Sequence, residues 1–297
     1  MRALLLALVL ATVPAHDGTP RNDTAQETPG RDRAGPVFRF ADPDITEASG
    51  LVDQGDVMVT ANDSGHDPVL YVVDARTGAT LGRTHYTDEV VDVEALAPGP
   101  GPVVWVGDIG DNRRQRSSVR IYLVPVIQRD SRIRTGSFEV VYPDGPHDAE
   151  SLLTSADGRL YVVTKGLFGG AVYALPPSLD PAGPNRLAKV AAVSVLATDA
   201  AGIPGTTLAL VRGYGSAEVL DLATGRQVGR LDLPRQPQGE AISVGPHGRI
   251  RVTSEGAHAA VRQVATPHWL RRAVVRSRGA TAASAGVIAG RLGAMLG

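Results

Sequence analysis

The layout that decides the fold is clearest in residues 92–112, which read DVEALAPGPGPVVWVGDIGDN. A glutamate beside a small residue opens a short apolar stretch, a Gly/Pro turn follows, and a second apolar stretch ends in an aspartate. Short runs of Val, Leu and Trp that are bounded by Gly, Pro and Asp are typical of β-strands. The segment therefore predicts a β-hairpin that carries acidic side chains at one end.

The same layout recurs four more times along the chain, with Glu47, Glu150, Asp199 and Glu240 in the acidic position. Neighbouring copies begin 41 to 56 residues apart. In four copies the matching position of the second strand comes 13 residues after the acid, and in the copy at Glu150 it comes 14 residues after. Strand-rich repeats of this length are typical of the blades of a β-propeller.

The remaining strands complete the blades. Every copy has a third apolar strand, and the first four copies have a fourth. The fifth copy lacks one, but PVFRFADPD at the start of the repeat region has no other partner. We therefore expect an all-β fold, a single five-bladed propeller of four-stranded blades over residues 36–266. Residues 36–42 should complete the last blade and close the ring, which leaves no open edge there.

The two ends of the chain differ from the repeats. Residues 1–15 have a charged start, an apolar run and a small-residue end, which predicts a signal peptide and a secreted or cell-envelope protein. Residues 16–35 have no apolar period and predict a disordered linker. Residues 267–297 are basic and rich in small residues, and we expect a loose tail or a surface-lying helix. Membrane contact is expected through this tail alone.

Composition excludes several classes of site. The chain has 297 residues, a net charge of −1 and no Cys. The near-zero charge argues against nonspecific nucleic-acid binding. Without Cys there is no disulfide and no thiolate metal site, so core burial has to stabilise the fold. We expect a monomer.

The acidic positions should converge. The first strand of a blade lines the propeller axis, and the second returns antiparallel, so the end of the second strand lies beside the start of the first. This predicts a channel mouth with a ring of five acids, which are Glu47, Glu94, Glu150, Asp199 and Glu240. The second strands should bring five further charged residues to the same mouth, which are Asp63, Asp108, Lys165, Arg212 and Glu255.

The predicted ring has two interpretations. Two like charges about 4 Å apart repel by on the order of 4 kcal/mol in a partly screened site. Some carboxyls therefore hold protons, or a hard cation occupies the axis, and oxygen ligands favour Ca²⁺. Alternatively, the acids accept hydrogen bonds from backbone N–H groups of adjacent blades. In the cation interpretation, the second-strand residues would bind a small ligand or a protein loop.

Catalytic candidates are Lys165, Arg212 and His147, which lies beside Asp148 and Glu150. His147 is a candidate general base, and the preferred alternative is a residue of a surface turn. The loops GDIGDN and NDSGHD resemble Ca²⁺ loops but lack the terminal Glu of an EF-hand. The chain contains no G-x-S-x-G nucleophile motif.

The succession EASGL, ANDSG, DVEALA, VWVGDIGDN and YPDGPHDAESLL resembles a group of uncharacterised bacterial exported β-propeller proteins with five repeats of WD40/YVTN type. This resemblance covers about residues 36–266. A looser one, carried by the repeated Glu, is to the phytase-like and esterase-like propellers, and it implies Ca²⁺ at the axis. Phytases have six blades, and their phosphate-binding residues have no counterparts here, so phytase activity is not implied.

Three functions remain open from the sequence. The first is a binding module whose acidic mouth holds Ca²⁺ and a small ligand or partner loop. The second is a metal-assisted hydrolase of esters or phosphoesters, in which Lys165 and Arg212 stabilise developing negative charge. The third is glycoside hydrolysis by a pair of carboxylates, although the sequence singles out no pair. An open pocket lined by Lys165 and Arg212 would favour the second.

Overall fold

The computed structural model of the protein describes residues 36–63, 65–87 and 89–278. The predicted signal peptide (1–15), the predicted linker (16–35) and the end of the predicted tail (279–297) lie outside the described residues. The described part is nearly all β, with one short helix, α1, at residues 268–278. No described helix is both long enough and apolar enough to span a bilayer.

Twenty-two strands form five sheets, and each sheet is one blade. Blade 1 contains β2 (Ala48–Asp53), β3 (Val57–Asn62), β4 (Val69–Asp74) and β5 (Thr80–His85). Blade 2 contains β6 (Val93–Pro98), β7 (Val103–Asp108), β8 (Val119–Pro125) and β10 (Ser137–Val141). Blade 3 contains β11 (Ala149–Thr154), β12 (Leu160–Thr164), β13 (Gly170–Ala174) and β15 (Ala188–Val193).

The last two blades follow the same order. Blade 4 contains β16 (Asp199–Gly202), β17 (Leu208–Arg212), β18 (Ser216–Asp221) and β19 (Arg226–Asp232). Blade 5 contains β20 (Gly239–Val244), β21 (Ile250–Ser254), β22 (Ala260–Val264) and, as its outer strand, β1 (Pro36–Arg39). The innermost strand of each blade contacts the innermost strands of both neighbouring blades, so the ring is closed. The prediction of a five-bladed propeller with four-stranded blades is confirmed.

Closure takes place as predicted. β1 pairs antiparallel with β22, and the Phe40 N–H donates to the Ala259 carbonyl at 3.1 Å. Phe38 and Phe40 are buried between blades 5 and 1. The strand that the sequence left without a partner therefore covers the edge of the last blade.

Two short strands go beyond four per blade. β9 (Ser131–Arg132) pairs with β5, and β14 (Asn185–Arg186) pairs with β10, both in parallel. Each belongs to the connection between the third and fourth strands of one blade and reaches back to the outer strand of the preceding blade. These connections link blade 2 to blade 1 and blade 3 to blade 2, and they cover two sheet edges.

The core consists of five apolar clusters, one between each pair of neighbouring blades. Both faces of a blade are buried, and side chains alternate between the faces, so adjacent residues of one strand belong to different clusters. Leu152 packs towards blade 2, and Leu153 packs towards blade 4. The turn that closes each inner hairpin has one glycine with positive φ. These five glycines are Gly55, Gly101, Gly158, Gly205 and Gly248.

For residues 268–278, the helix α1 decides between the two expectations, a loose tail or a surface-lying helix, in favour of the helix. Leu270 is 1% exposed and belongs with Ala273 to the cluster between blades 4 and 5. The Trp269 ring lies against Gly229 of β19, where an added Cβ would meet the ring at 2.5 Å. Residues 268–278 are therefore part of the folded unit, because one face of the helix is apolar enough to pack on the blades.

Candidate functional site

Most of the predicted acids lie on the innermost strands at one end of the propeller, which we call the mouth. Glu94, Glu150 and Glu240 lie near the starts of β6, β11 and β20, and each coincides with a shift in the pairing register. Asp199 begins β16 in regular register opposite Arg212. A β-bulge re-aims a side chain that would otherwise alternate with its neighbours. Three acids thus owe their position to bulges that the sequence pattern does not show.

Glu47 does not share this position. Gly50 pairs with Ala61 as Ala95 pairs with Gly107, so Ser49, and not Glu47, is the counterpart of Glu94. The Ser49 hydroxyl donates to the Glu94 carbonyl at 2.8 Å. Glu47 lies further out, where its carboxylate is 43% exposed and 3.3 Å from His66. The expected equivalence of Glu47 and Glu94 is wrong because the inner hairpin of blade 2 is one residue longer than that of blade 1, so equal spacings along the two hairpins do not mark equivalent positions.

The corrected register identifies a residue that the sequence analysis missed. Asp92 is the counterpart of Glu47, two residues before the bulge, and Asp148 holds the same place before Glu150. The signal was present as the acid-x-acid spacing in DVE and DAE. Asp92 lies beside Glu94 and across the blade interface from Asp63. One carboxylate oxygen from each of Asp63, Asp92 and Glu94 lies within 4.8 Å of the others. We call these three residues the carboxylate trio.

Gly110 makes room for the trio. Its N–H donates to the Asp92 carbonyl at 3.1 Å, so the GDIGDN loop crosses directly over these side chains. A Cβ at this position would lie 2.3 Å from Asp92 Oδ2 and 2.7 Å from Glu94 Oε1. The loop therefore approaches the carboxylates as closely as a backbone without a side chain allows.

Asp108 positions the trio and is not exposed at the mouth. Its side chain is 1% exposed. It accepts the N–H groups of Val91 and Asp92 at 3.2 and 2.9 Å and pairs with Arg116 at 2.9 Å. Because these contacts fix the chain at Asp92, Asp108 supports the site from behind. Its predicted ligand-binding role gains no geometric support.

Burial and neighbouring carboxylates raise the pKa values of the acids at the mouth. Burial raises the pKa of Glu94 to about 11, and the charges of Glu150, Asp63 and Asp92 add to this effect. Burial likewise raises the pKa of Glu150 to about 7, in spite of an ion pair with Lys165 at 2.7 Å. A carboxyl with the pKa of Glu94 is protonated at neutral pH unless a positive charge is close.

Lys165 interacts with the acids of the mouth, chiefly with Glu150. Burial alone disfavours its charge, but the hydrogen bond and charge of Glu150 keep the Lys165 pKa above its usual value. Tyr214 and Glu240 also act on it electrostatically. Glu255 lies on the same side, near Glu240 and Glu47, and burial raises its pKa. The structure thus brings Lys165 and Glu255 to the predicted mouth.

The side chains of Asp199 and Arg212 form hydrogen bonds with backbone groups. Asp199 accepts the N–H groups of Ala200 and of Ile242 in the next blade, both at 2.7 Å. Arg212 is fully buried, and its guanidinium donates to the Thr253 carbonyl at 3.0 Å and also to the Ala241 carbonyl. For Asp199, the geometry supports the alternative in which an acid of the ring accepts hydrogen bonds from backbone N–H groups of the adjacent blade. Arg212 is not accessible to a ligand at the mouth.

His147 belongs to a separate polar group away from the axis. Its Nε2 lies 2.9 Å from Asp144 Oδ1 and 3.1 Å from the Tyr173 hydroxyl, which donates to Asp144 Oδ2 at 2.8 Å. Its ring also packs edge-on against Tyr142. These contacts hold the turn before β11 against β13, so His147 does not join Lys165 or the trio.

The mouth end also presents apolar side chains to solvent. The loop between β12 and β13 exposes Leu167 by 86% and Phe168 fully. Val91, beside the trio, is 67% exposed, and Tyr214, in the loop after β17, is 47% exposed. We call these four residues the apolar rim.

Two concavities lie on blade 1. A small cleft of about 10 Å³ is lined by Asp63, His66 and Val93, next to the trio. A groove of about 390 Å³ is lined by Asp44, Tyr71, Arg83 and His85, among others. Neither Lys165 nor Arg212 lines either of them.

Comparisons with known proteins identify no family. No protein-family model matches the chain, and no curated protein matches it. The solved structure of hydrazine synthase from Kuenenia stuttgartiensis is similar, with 20% identity, a TM-score of 0.42 and coverage of 71% of this chain and 56% of that one. A gluconolactonase from Xanthomonas campestris is similar with 14% identity, a TM-score of 0.44 and coverage of 71% and 70%.

The chain thus spans little more than half of the hydrazine synthase chain that it matches. Similarity at this level carries no information on substrate or chemistry. Membership of the exported bacterial group remains a prediction, and function has to be argued from the mouth itself.

Proposed function

We propose that the protein is a binding module whose mouth takes up a hard divalent cation, Ca²⁺ by preference, between Asp63, Asp92 and Glu94. The observation that carries this proposal is the convergence of three carboxylate oxygens within 4.8 Å, contributed by two blades. A divalent cation offsets the burial and the like-charge repulsion that together keep the Glu94 carboxyl protonated. The cation would therefore stabilise the interface between blades 1 and 2.

The donor set favours Ca²⁺ over transition metals. All three residues offer oxygen, and hard cations prefer oxygen ligands. Ca²⁺ takes about six to eight oxygen ligands, so three carboxylates leave positions for water or for oxygens of a partner. A site at the mouth can in this way join the propeller to whatever docks on it.

The apolar rim supports docking of a partner. Exposed apolar groups around a polar centre are typical of interaction surfaces. Leu167 and Phe168 project from one loop, and Tyr214 acts electrostatically on Lys165. A small ligand or protein loop at this mouth would meet both the cation and the rim.

The hydrolase is the second candidate and has less support. It needs Lys165 and Arg212 free to stabilise negative charge in an open pocket. Arg212 is fully buried and bound to backbone carbonyls, and Lys165 is paired with Glu150 at 2.7 Å. A hydrolase that uses this mouth would have to draw on other groups.

Thermal melting in Ca²⁺ and in chelator tests the proposal. A ligand that binds the folded state alone raises its stability. We expect Ca²⁺ to raise the melting temperature of the wild-type protein, and Glu94→Gln to abolish most of that increase. Glu139→Gln, which removes an exposed carboxylate on β10, is the matched control and should keep it. Equal increases in the wild type and Glu94→Gln would refute the trio as the site.

A further inference from the structure

The helix α1 lies at the end of the propeller opposite the mouth. Thr207 donates its N–H to Ser277 Oγ at 3.0 Å, and Arg278 donates to the Pro204 carbonyl at 3.1 Å. Pro204 and Thr207 belong to the turn that joins β16 to β17. Because β16 starts at the mouth with Asp199, this turn lies at the opposite end of the propeller. With Leu270 and Trp269 packed on blades 4 and 5, the helix is held in a fixed orientation.

The outward face of α1 is strongly basic. Successive residues of a helix are rotated by about 100°, which places the buried Leu270 and Ala273 on one side. The opposite side presents Val275, which is 70% exposed, together with exposed polar residues. These exposed residues are His268, Arg271, Arg272, Arg276 and Arg278.

Neighbouring acids do not neutralise these arginines. No carboxylate among the described residues forms an ion pair with Arg271, Arg272, Arg276 or Arg278. The last acidic residue of the chain is Glu255, and residues 256–297 contain six arginines and no acid. The segment that contains α1 therefore carries a local excess of positive charge in a chain whose net charge is −1.

We propose that the outward face of α1 binds an anionic lipid surface. A helix that combines a basic face with an exposed apolar residue fits the boundary between lipid headgroups and acyl chains. Each arginine near an anionic membrane adds to the affinity. The mouth, with its acids, then points away from the lipid and stays open to a partner. This inference does not depend on the cation site, since it rests on residues at the other end.

Vesicle flotation with the full chain tests this. Wild-type protein should float with vesicles of phosphatidylcholine mixed with phosphatidylglycerol and not with pure phosphatidylcholine. Replacing Arg271, Arg272 and Arg276 together by Gln should weaken partitioning by on the order of 100-fold. High salt should weaken wild-type binding as well, because it screens surface charge. Thermal melting of the triple variant checks folding, and no change is expected for exposed side chains.

The matched control replaces Arg129, Arg132 and Arg134 by Gln, three exposed arginines at similar spacing away from α1. It should bind anionic vesicles as the wild type does. Equal loss in both triple variants, equal binding of the wild type to neutral and anionic vesicles, or no binding to either would overturn the proposal. So would binding of a single-stranded oligonucleotide in preference to the vesicles, since that would assign the basic face to nucleic acid.

Discussion

Among single residues, Gly110 sets how much room the carboxylate trio has. A Cβ there would overlap Asp92 and Glu94, at 2.3 and 2.7 Å from their oxygens. We expect Gly110→Ala to push these side chains apart and to reduce the Ca²⁺-dependent rise in melting temperature. Gly136→Ala is the control, since an added Cβ there meets nothing within 4 Å. An unchanged Ca²⁺ effect in Gly110→Ala would show that these oxygens do not hold the cation.

Glu240 gives the mouth a dependence on pH. Burial raises the pKa of Glu240 from 4.5 to about 7, with the charges of Glu255 and Glu150 adding to it. Between these values the folded protein holds a proton that the unfolded chain has released. Stability therefore falls as pH rises through this range and is constant above it.

Glu240→Gln should remove this contribution. Between pH 5 and pH 8, without divalent cations, the wild type should lose about 1–3 kcal/mol more stability than the variant does. Urea unfolding of both proteins at both pH values measures the difference. The same loss in both proteins would mean that Glu240 ionises freely in the folded state.

At the residue scale, the sequence correctly placed several acids at the starts of the inner strands. It did not show which of these acids lie next to one another. Glu94, Glu150 and Glu240 could be found because each opens a strand in a repeated layout. Asp92 was missed and Glu47 was misplaced, because the inner hairpins of blades 1 and 2 differ in length by one residue, and this difference is visible only in the backbone pairing. Arg212 was expected at the surface, since a charged residue gives no sign in the sequence that carbonyls will surround it.

At the scale of elements, the sequence left a loose tail and a surface-lying helix open for residues 267–297, and it did not predict that α1 packs on the blades. Its basic residues dominate the composition of 267–278, and they obscured an apolar face that Trp269, Leu270 and Ala273 form at helical spacing. The two-residue strands β9 and β14 were also missed, because so short a segment has no period to detect. The inner hairpins were predictable because apolar runs and turn glycines recur in all five.

Leu270→Ala tests whether α1 is structural. Leu270 is 1% exposed in the cluster between blades 4 and 5, so its truncation should cost about 2–4 kcal/mol. Val275→Ala, on the exposed face of the same helix, should change stability by less than about 0.5 kcal/mol. Chemical denaturation of the two variants compares them. A small effect of Leu270→Ala would show that the packing of α1 contributes little to the stability of the fold.

At the scale of the whole molecule, stability depends on closure of the ring by β1. Phe40 is fully buried between the first and last blades, and its truncation should cost about 3–5 kcal/mol. Because the blades share their cores, we expect Phe40→Ala to lower the midpoint of a single cooperative transition. The neighbouring Val37, which is 36% exposed, is the control. An unfolding curve that splits into two transitions would show that blade 5 opens independently.

The polarity of the molecule joins the two proposals. Acidic side chains lie together at the mouth, where a cation would offset their repulsion. At the opposite end lies α1, whose exposed arginines form no ion pairs with described carboxylates. A propeller that rests on lipid through one end presents its mouth to a partner at the other. The two ends can be altered separately, since the trio belongs to blades 1 and 2 and α1 packs on blades 4 and 5.

Calorimetric titration of Ca²⁺ into the metal-free full-length protein is the most direct measurement of the cation site. We expect one binding event per chain for the wild type and at least a roughly tenfold weaker one for Glu94→Gln, because a ligand charge is lost. Glu139→Gln should bind as the wild type does. The absence of binding heat in the wild type across several temperatures, or equal affinity in the wild type and Glu94→Gln, would contradict a cation held by Asp63, Asp92 and Glu94.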